Sequence, residues 1–226
     1  MSSGGALAIF VKTPELSPVK TRLAASIGQE MANQFYELSL TATFAVAKSL
    51  EVKTPSLQIY WAVAEPEGLD ADRWGSFPAL LQGAGGLGSR LNSIYQELLK
   101  KHDYVCFIGA DSPHLYVEEL RSGVLQTARN LGKKFVLGET LDGGFYFFGG
   151  SIPLPASTWQ GVDYSTSQTG NQLKSRLSAL GNVALLKNNF DVDTVNDLRR
   201  ISEISESNGS LLPEQIELIR WSRLLK

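Results

Sequence analysis

The chain has 226 residues, enough for one large domain with an ample apolar core. Its 43% hydrophobic and 19% charged residues are typical of a soluble globular protein. The net charge of -2 gives no electrostatic reason to expect nucleic acid or an anionic membrane as a partner. The single cysteine, Cys106, excludes an internal disulfide framework and favours a reducing compartment. No apolar stretch approaches the roughly eighteen residues that span a bilayer, so we expect a cytoplasmic protein with no membrane span.

Short apolar runs alternate with amphipathic stretches along the chain. The apolar runs predict strands, and apolar residues spaced by three and four predict helices. The predicted strands cover 6–11, 57–63, 79–82, 104–111, 135–138, 145–148 and 183–187. The predicted helices cover 29–50, 91–98, 117–131, 165–180 and 213–225, and residues 191–194 are predicted to cap a further helix that runs to about 205.

This order of elements predicts an α/β fold: a three-layer α/β/α sandwich around a mostly parallel sheet. The close succession of strands and glycines in the second half predicts a departure from strict alternation there. We expect a single domain over 1–226, with a core of about 6–200 and a final helix at 213–225. The apolar stripe of that helix docks either on its own domain or on a second subunit, which leaves homo-oligomerisation open.

The central strand candidate leads into Gly109-Ala-Asp111-Ser-Pro113. An apolar run without alternation is typical of a strand buried on both faces of a parallel sheet. Asp111 therefore falls at the carboxyl end of a strand, where open α/β sheets bind their ligands. A carboxylate followed by a hydroxyl suits a hard divalent cation that carries phosphate. The alternative is that Asp111 caps the next helix.

A cationic loop with two prolines follows the first predicted strand. It carries Lys12, Lys20 and Arg22, and its only acid is Glu15. Cations on a flexible backbone ahead of a helix N-terminus bind anions well, so the loop is a candidate phosphate site. Neither the Walker A pattern nor G-x-G-x-x-G occurs in it. The alternative is a solvated basic loop.

A glycine-rich turn runs from Gln82 to Arg90 and includes Gly83 and Gly88. Backbone amides free of side-chain bulk can lie flat against a nucleobase or a phosphate, which makes the turn a candidate nucleotide contact. The alternative is a plain connection ahead of a helix, with Arg90 an exposed helix residue.

Further carboxylates fall at element boundaries: Asp142, which precedes two glycines, and the pair Asp191 and Asp193. Together with Asp111 they could hold Mg²⁺ along with substrate phosphates. Asp142-Gly143 could instead form a type I′ hairpin turn, and one of Asp191 and Asp193 could be a helix N-cap. His114 shares no zinc-ligand spacing with a cysteine and is expected at the surface.

Five motifs occur in a fixed order. They are Val19-Lys-Thr-Arg-Leu23, Gln82-Gly83 with Leu87-Gly-Ser-Arg90, Ile108-Gly-Ala-Asp-Ser-Pro113, Asp142-Gly-Gly-Phe-Tyr146 and Asp191-Val-Asp-Thr194. In this order the chain resembles a bacterial GT-A-type, glycosyltransferase-like family, the radical-SAM/selenodomain-associated transferases. That family belongs to the superfamily of nucleotide-diphospho-sugar transferases, which includes guanylyltransferases.

The resemblance implies a nucleotide bound at the carboxyl ends of the first strands. It implies phosphate contacts from Lys20 and Arg22, and an approach of the Gln82–Gly88 region to the base. It also implies a metal, Mg²⁺ or Mn²⁺, on Asp111, with Asp193 or Asp191 as the second ligand.

The first hypothesis is therefore a metal-dependent transferase with a nucleotide-sugar donor, in which Asp111 and Asp142 are the catalytic candidates. Asp142 is the candidate general base for the acceptor hydroxyl. The second hypothesis is a nucleotidyltransferase that joins an NTP to a phosphorylated acceptor. The third is a non-catalytic nucleotide-binding subunit. The sequence does not identify the acceptor.

Overall fold

The computed structural model describes residues 4–132, 134–207 and 209–225, so residues 1–3, 133, 208 and 226 of the predicted domain lie outside the described part. Its strands are β1 (Gly5–Val11), β2 (Leu57–Val63), β3 (Ala79–Leu81), β4 (Tyr104–Gly109), β5 (Lys134–Glu139), β6 (Phe145–Gly150) and β7 (Asn182–Leu185). Its α-helices are α1 (Thr21–Ile27), α2 (Gln29–Lys53), α3 (Leu87–Leu99), α4 (Val117–Arg129), α5 (Ala156–Gln160), α6 (Thr169–Ser178), α7 (Val195–Ser202) and α8 (Pro213–Arg223). Within the described ranges, none of them combines the length and apolar character needed to cross a bilayer.

The strands form one sheet in the order β3-β2-β1-β4-β6-β5-β7. Every pairing is parallel except the two made by β6, which runs antiparallel to β4 and to β5. The expected three-layer, mostly parallel fold is confirmed, including the departure in the second half. After β1 the chain builds the sheet to one side through β2 and β3, and then crosses to the other side with β4. The carboxyl ends of β1 and β4 therefore flank the topological switch point, where such sheets bind ligands.

Helices cover both faces of the sheet because the central strands are apolar on both sides. On β1, Leu7 and Ile9 face the cluster that contains residues of α2 and α4. Ala6 and Ala8 face the opposite cluster, where α3 contributes Tyr95. Alternate residues of a strand point to opposite faces, so one strand contributes to both cores. This two-sided burial makes β1 a rigid base for the loop that follows it.

The last helix, α8, docks on its own domain, against α2 and α7. Its Gln215 is 1% exposed. The Gln215 side-chain amide donates to the carbonyls of Pro113 and Leu115, at 2.8 and 3.1 Å, and its oxygen accepts from the backbone N–H of Leu212 at 3.1 Å. The helix thus holds the segment that follows Asp111.

One predicted helix start was wrong, and the error falls in a run of small polar residues. The helix expected from 165 begins at Thr169, because Thr166 and Thr169 use their hydroxyls to satisfy backbone groups in the preceding turn. The helix expected after the capping segment 191–194 does begin there, at Val195, and Thr194 is its N-cap, with the Thr194 hydroxyl accepting from the backbone N–H of Asp197.

His114 joins three loops at the carboxyl edge of the sheet. The prediction that it lies at the surface was wrong, since it is 7% exposed. Its Nε2 lies 2.6 Å from the Oδ1 of Asn189, and its ring stacks on Phe190 with centroids 4.0 Å apart. The backbone of Asn189 in turn accepts from the N–H of Leu141 and donates to the carbonyl of Glu139. The β4–α4, β7–α7 and β5–β6 loops are therefore bound to one another.

Gln215 gives a direct stability prediction. The change Gln215→Leu keeps the volume but leaves two buried carbonyls and one N–H without a partner, and we expect it to lower the free energy of unfolding by about 2–4 kcal/mol. Glu217→Leu, an exposed position on the same helix, is the control and should stay within about 0.5 kcal/mol of wild type. Urea unfolding measures both variants, and equal stabilities would contradict this account of α8.

The burial of His114 predicts a pH dependence of stability. Burial lowers the pKa of His114 from 6.5 to about 4, so the folded protein disfavours the charged ring. Its contribution to stability is present above pH 6.5 and is lost as the pH falls towards 4. We expect the melting temperature of His114→Gln, which keeps a side-chain donor but does not titrate, to fall less steeply over this window. His102→Gln is the control and should keep most of the wild-type slope; identical slopes in wild type and His114→Gln would contradict the prediction.

Candidate functional site

A buried ammonium connects two carboxylates at the switch point of the sheet. Lys20, whose side chain is 3% exposed, forms an ion pair with Asp111 and lies with its Nζ 3.2 Å from the Oδ1 of Asp193. The side chains of Asp111 and Asp193 are 50% and 39% exposed, so both carboxylates also face solvent. Three residues far apart in sequence therefore meet where β1 and β4 end.

The charge of Lys20 is maintained by these partners. Burial alone would lower the pKa of the Lys20 ammonium, but the carboxylates of Asp111 and Asp193 outweigh it and raise that pKa. A buried ammonium requires such pairing, because the free energy of an isolated charge away from water is prohibitive. The expectation that Asp111 caps a helix was wrong, since Tyr116 takes the N-cap position of α4.

The backbone of Lys20 itself adopts an uncommon, left-handed conformation. Lys20 is the N-cap of α1 and has a φ of +48°, in the left-handed region that side chains other than glycine rarely adopt. The start of the same loop is held by Tyr36, whose hydroxyl accepts from the backbone N–H of Lys12 and donates to its carbonyl, at 3.0 and 3.2 Å. Both ends of the cationic loop are thus fixed to the body of the domain.

Asp191 adds a third carboxylate beside the pair. Burial and the neighbouring Asp111 raise the pKa of Asp191 to about 7. Ser112 donates a hydrogen bond to Asp191 and lies 3.1 Å from the carbonyl of Phe190. The backbone carbonyl of Asp111 accepts from the N–H of Val192 at 2.9 Å, which ties the two carboxylate-bearing loops together. Negative charge at this point exceeds what Lys20 alone compensates.

The other two cations of the loop take different positions. Arg22 is 61% exposed and reaches Asp193 at 3.8 Å, so it lies at the rim of the carboxylate cluster. The Nζ of Lys12 lies 3.4 Å from the carbonyl of Pro18, within its own loop. The structure therefore brings Lys20 and Arg22 together with Asp111, Asp191 and Asp193, and it places Lys12 apart from them on the same edge.

Gln82 and Arg90, both predicted from the sequence to contact the nucleotide, form hydrogen bonds with backbone carbonyls at the glycine-rich turn. The amide nitrogen of Gln82 donates to the carbonyls of Val11 and Ala62, at 3.0 and 2.7 Å, and so joins the ends of β1 and β2. The guanidinium of Arg90 closes the turn on the carbonyl of Gly85 at 2.9 Å.

Two positions of this turn favour glycine for different reasons. Gly83 has a φ of +87°, in the left-handed region that other residues rarely adopt. A Cβ on Gly88 would lie 2.6 Å from the carbonyl oxygen of Trp159, so α3 and α5 approach closely here. A nucleotide role for Gln82, Gly83, Gly88 and Arg90 stays a prediction.

Asp142 lies in the hairpin between β5 and β6, on the same edge of the sheet. The hairpin is as expected, but its turn is not type I′, because Gly143 has a positive φ and Asp142 does not. The Oδ1 of Asp142 accepts from the hydroxyl of Thr140 at 2.5 Å and from the N–H of Gly144 at 3.2 Å. The side chain is exposed, so its carboxylate is oriented by the turn and remains accessible.

Sequence reasoning missed three residues that hold the site: Tyr36, Asn189 and Gln215. Each makes contacts with segments many residues away, and local pattern carries no signal for them. Within the described ranges, no group of three or more His, Cys, Asp or Glu side chains is already arranged to hold a metal ion. The carboxylates of the site are instead organised around Lys20.

Solved structures from three organisms share the fold. A candidate nucleotide-diphospho-sugar transferase from Desulfovibrio desulfuricans G20 matches 100% of this chain and 97% of its own, with 20% identity and a TM-score of 0.84. Rv0371c from Mycobacterium tuberculosis H37Rv matches 89% of this chain and 98% of its own, with 15% identity and a TM-score of 0.58. A nucleotidyl transferase from Methanothermobacter thermautotroptrophicus matches 88% and 96%, with 12% identity and a TM-score of 0.55. At these identities the similarity establishes the fold.

No functionally curated protein matches the sequence. Residues 45–166, more than half of the chain, match one bacterial family, and this segment includes Asp111, Asp142 and the glycine-rich turn. The chain therefore belongs to the family described as "Uncharacterized protein conserved in bacteria (DUF2064)".

Proposed function

We propose that this protein is a divalent-metal-dependent transferase that acts on a nucleotide-activated donor, with a nucleotide-sugar as the donor. The observation that carries the proposal is the buried Lys20 between Asp111 and Asp193 at the switch point of the sheet. Parallel α/β sheets bind their ligands at this point, and cations in the loop after the first strand are suited to phosphate. The full-length similarity to a candidate nucleotide-diphospho-sugar transferase supports the same class.

The donor set fits Mg²⁺ or Mn²⁺. Carboxylate oxygens are the ligands that these hard cations prefer, and Asp111 and Asp193, which share Lys20, would supply them once Lys20 moves away, with Asp191 beside them. Burial and the neighbouring Asp111 raise the pKa of Asp191 to about 7, and a cation bound beside this carboxyl would lower that pKa again. When bound, the metal would neutralise charge on the departing diphosphate.

The chain's own residues account for the remaining roles. Lys20 and Arg22 would bind donor phosphates and stabilise the negative charge that grows on the leaving group. Asp142 would accept the proton of the acceptor hydroxyl, since its Oδ1 is held by the turn and its carboxylate is exposed. The glycine-rich turn that starts at Gln82 would lie against the base.

A nucleotidyltransferase is the second candidate, favoured by the fold shared with a nucleotidyl transferase over nearly the whole chain. The same cations would then bind a triphosphate. The released product separates the two reactions: glycosyl transfer liberates a nucleoside diphosphate, and nucleotidyl transfer liberates pyrophosphate. A protein that binds nucleotide without metal and never turns it over would instead be a non-catalytic nucleotide-binding subunit.

The test is a thermal-shift screen with UDP-, GDP-, CDP-, ADP- and dTDP-linked sugars and with NTPs, each with and without Mg²⁺ or Mn²⁺. A ligand that binds only the native state at 100 times its Kd adds about 2.7 kcal/mol of stability. For a chain of this size we expect the melting temperature to rise by roughly 5–10 °C, and only when metal and the correct nucleotide are both present.

Asp111→Ala should abolish the metal-dependent part of this shift. Asp103→Ala is the matched control, because Asp103 precedes β4 while Asp111 follows it, so the two lie at opposite edges of the sheet. The control should keep the full ligand-induced shift. An unchanged shift in Asp111→Ala would sink the assignment of Asp111 as a metal ligand.

A further inference from the structure

Lys20 lies where a divalent ion shared by Asp111 and Asp193 would have to bind. Its ammonium contacts both carboxylates, and its side chain is almost fully buried between them. Lys20 and Asp193 are 173 positions apart in sequence, so the contact is made by the tertiary fold and not by a local turn. The cluster therefore already contains one cation of its own.

A divalent metal ion and the Lys20 ammonium compete for the same two carboxylates. A divalent ion that bridges Asp111 and Asp193 either displaces Lys20 or accepts a positive charge a few ångströms away, and like charges at such a distance repel strongly when water is largely excluded. Either route raises the free energy of the metal-bound state. In the absence of a further anion, Lys20 should weaken metal binding.

A phosphate reverses this balance. Arg22 lies at the rim of the same cluster, so an incoming polyphosphate meets two cations there, Lys20 and Arg22. Once the ammonium pairs with phosphate oxygens, Asp111 and Asp193 are left unpaired and become free to bind a metal. In this exchange the phosphate replaces the carboxylates as the partner of Lys20. The metal replaces Lys20 as the partner of the carboxylates.

We propose that Lys20 is an exchangeable cation that couples metal binding to polyphosphate binding. In the nucleotide-free protein it holds Asp111 and Asp193 and suppresses divalent metal binding, and a bound polyphosphate transfers it from carboxylate to phosphate. This inference deepens the proposed function and rests on the metal site assigned there.

The test measures Mn²⁺ binding to the nucleotide-free protein by electron paramagnetic resonance of free Mn²⁺. Lys20→Met removes the internal cation, and we expect it to tighten Mn²⁺ binding by roughly 5- to 150-fold over wild type. Lys20→Arg keeps the charge and should bind Mn²⁺ as weakly as wild type.

Arg22→Gln is the matched control for charge alone. It removes a positive charge two residues from Lys20, in the first turn of α1, but Arg22 pairs with Asp193 at 3.8 Å and is largely in solvent. We expect it to change Mn²⁺ affinity by less than about fivefold. Equal gains in Lys20→Met and Arg22→Gln would show a general electrostatic effect and would overturn the specific role of Lys20.

Two outcomes separate this inference from the metal site on which it rests. If Lys20→Met binds Mn²⁺ no tighter than wild type while Asp111→Ala loses binding, the metal site holds and the exchange is wrong. If Asp111→Ala in the Lys20→Met background leaves Mn²⁺ binding unchanged, the assigned metal site itself is wrong.

A second measurement follows Lys20 directly in a protein that keeps its cation. Protein labelled with ¹⁵N-lysine should show one buried Nζ resonance, identified by its absence in Lys20→Arg. Mg²⁺ with sodium pyrophosphate should shift or broaden that resonance, and Mg²⁺ alone should not. A resonance that is unaltered by the pair, or equally altered by Mg²⁺ alone, contradicts the proposal.

Discussion

The ion pair of Lys20 with Asp111 and Asp193 is the interaction around which the carboxyl edge of the sheet is built. A left-handed backbone at a lysine costs roughly 1–2 kcal/mol, and it persists only where surrounding contacts determine it. Here those contacts are two carboxylates from separate loops. Once the ammonium is buried, removal of either carboxylate leaves it with a single ion-pair partner of the two. The first loop, the segment after β4 and the segment before α7 therefore depend on one another.

The reversed strand β6 extends this edge beyond the parallel strands. Because β6 runs antiparallel to β4 and β5, the hairpin that carries Asp142 turns at the same edge as Asp111. The hairpin then packs closely on the start of α6, since a Cβ on Gly143 would lie 2.1 Å from the carbonyl oxygen of Ser167. Asn189 connects this hairpin to His114 and so to the Asp111 loop. A single antiparallel strand thus brings a third loop that carries a candidate carboxylate, Asp142, to the edge.

The sequence predicted the sheet well because its strands are apolar runs whose burial needs no knowledge of partners. It also placed Lys20, Asp111 and Asp193 in the site from their positions at strand and helix boundaries. It could not predict that they pair, since that contact depends on the order of strands in space. It misplaced His114 for the same reason: a polar residue in a loop carries no local mark of the Phe190 ring that covers it. The wrong helix start, at 165, falls where the hydroxyls of Thr166 and Thr169 compete with the helix for backbone partners.

The charges at the switch point explain why donor and metal belong together. When all three are ionised, the carboxylates of Asp111, Asp191 and Asp193 exceed the two cations Lys20 and Arg22 by one negative charge. Burial and the neighbouring Asp111 raise the pKa of Asp191 in this setting. A divalent ion alone would change the net charge of this cluster by two units, from one negative charge in excess to one positive charge in excess. A diphosphate alone would add negative charge beside carboxylates that already repel one another. The two positive charges of the metal and the two negative charges of a nucleotide-sugar diphosphate cancel, so the pair leaves the net charge of the cluster unchanged. The arrangement therefore favours a substrate that carries its own counter-ion.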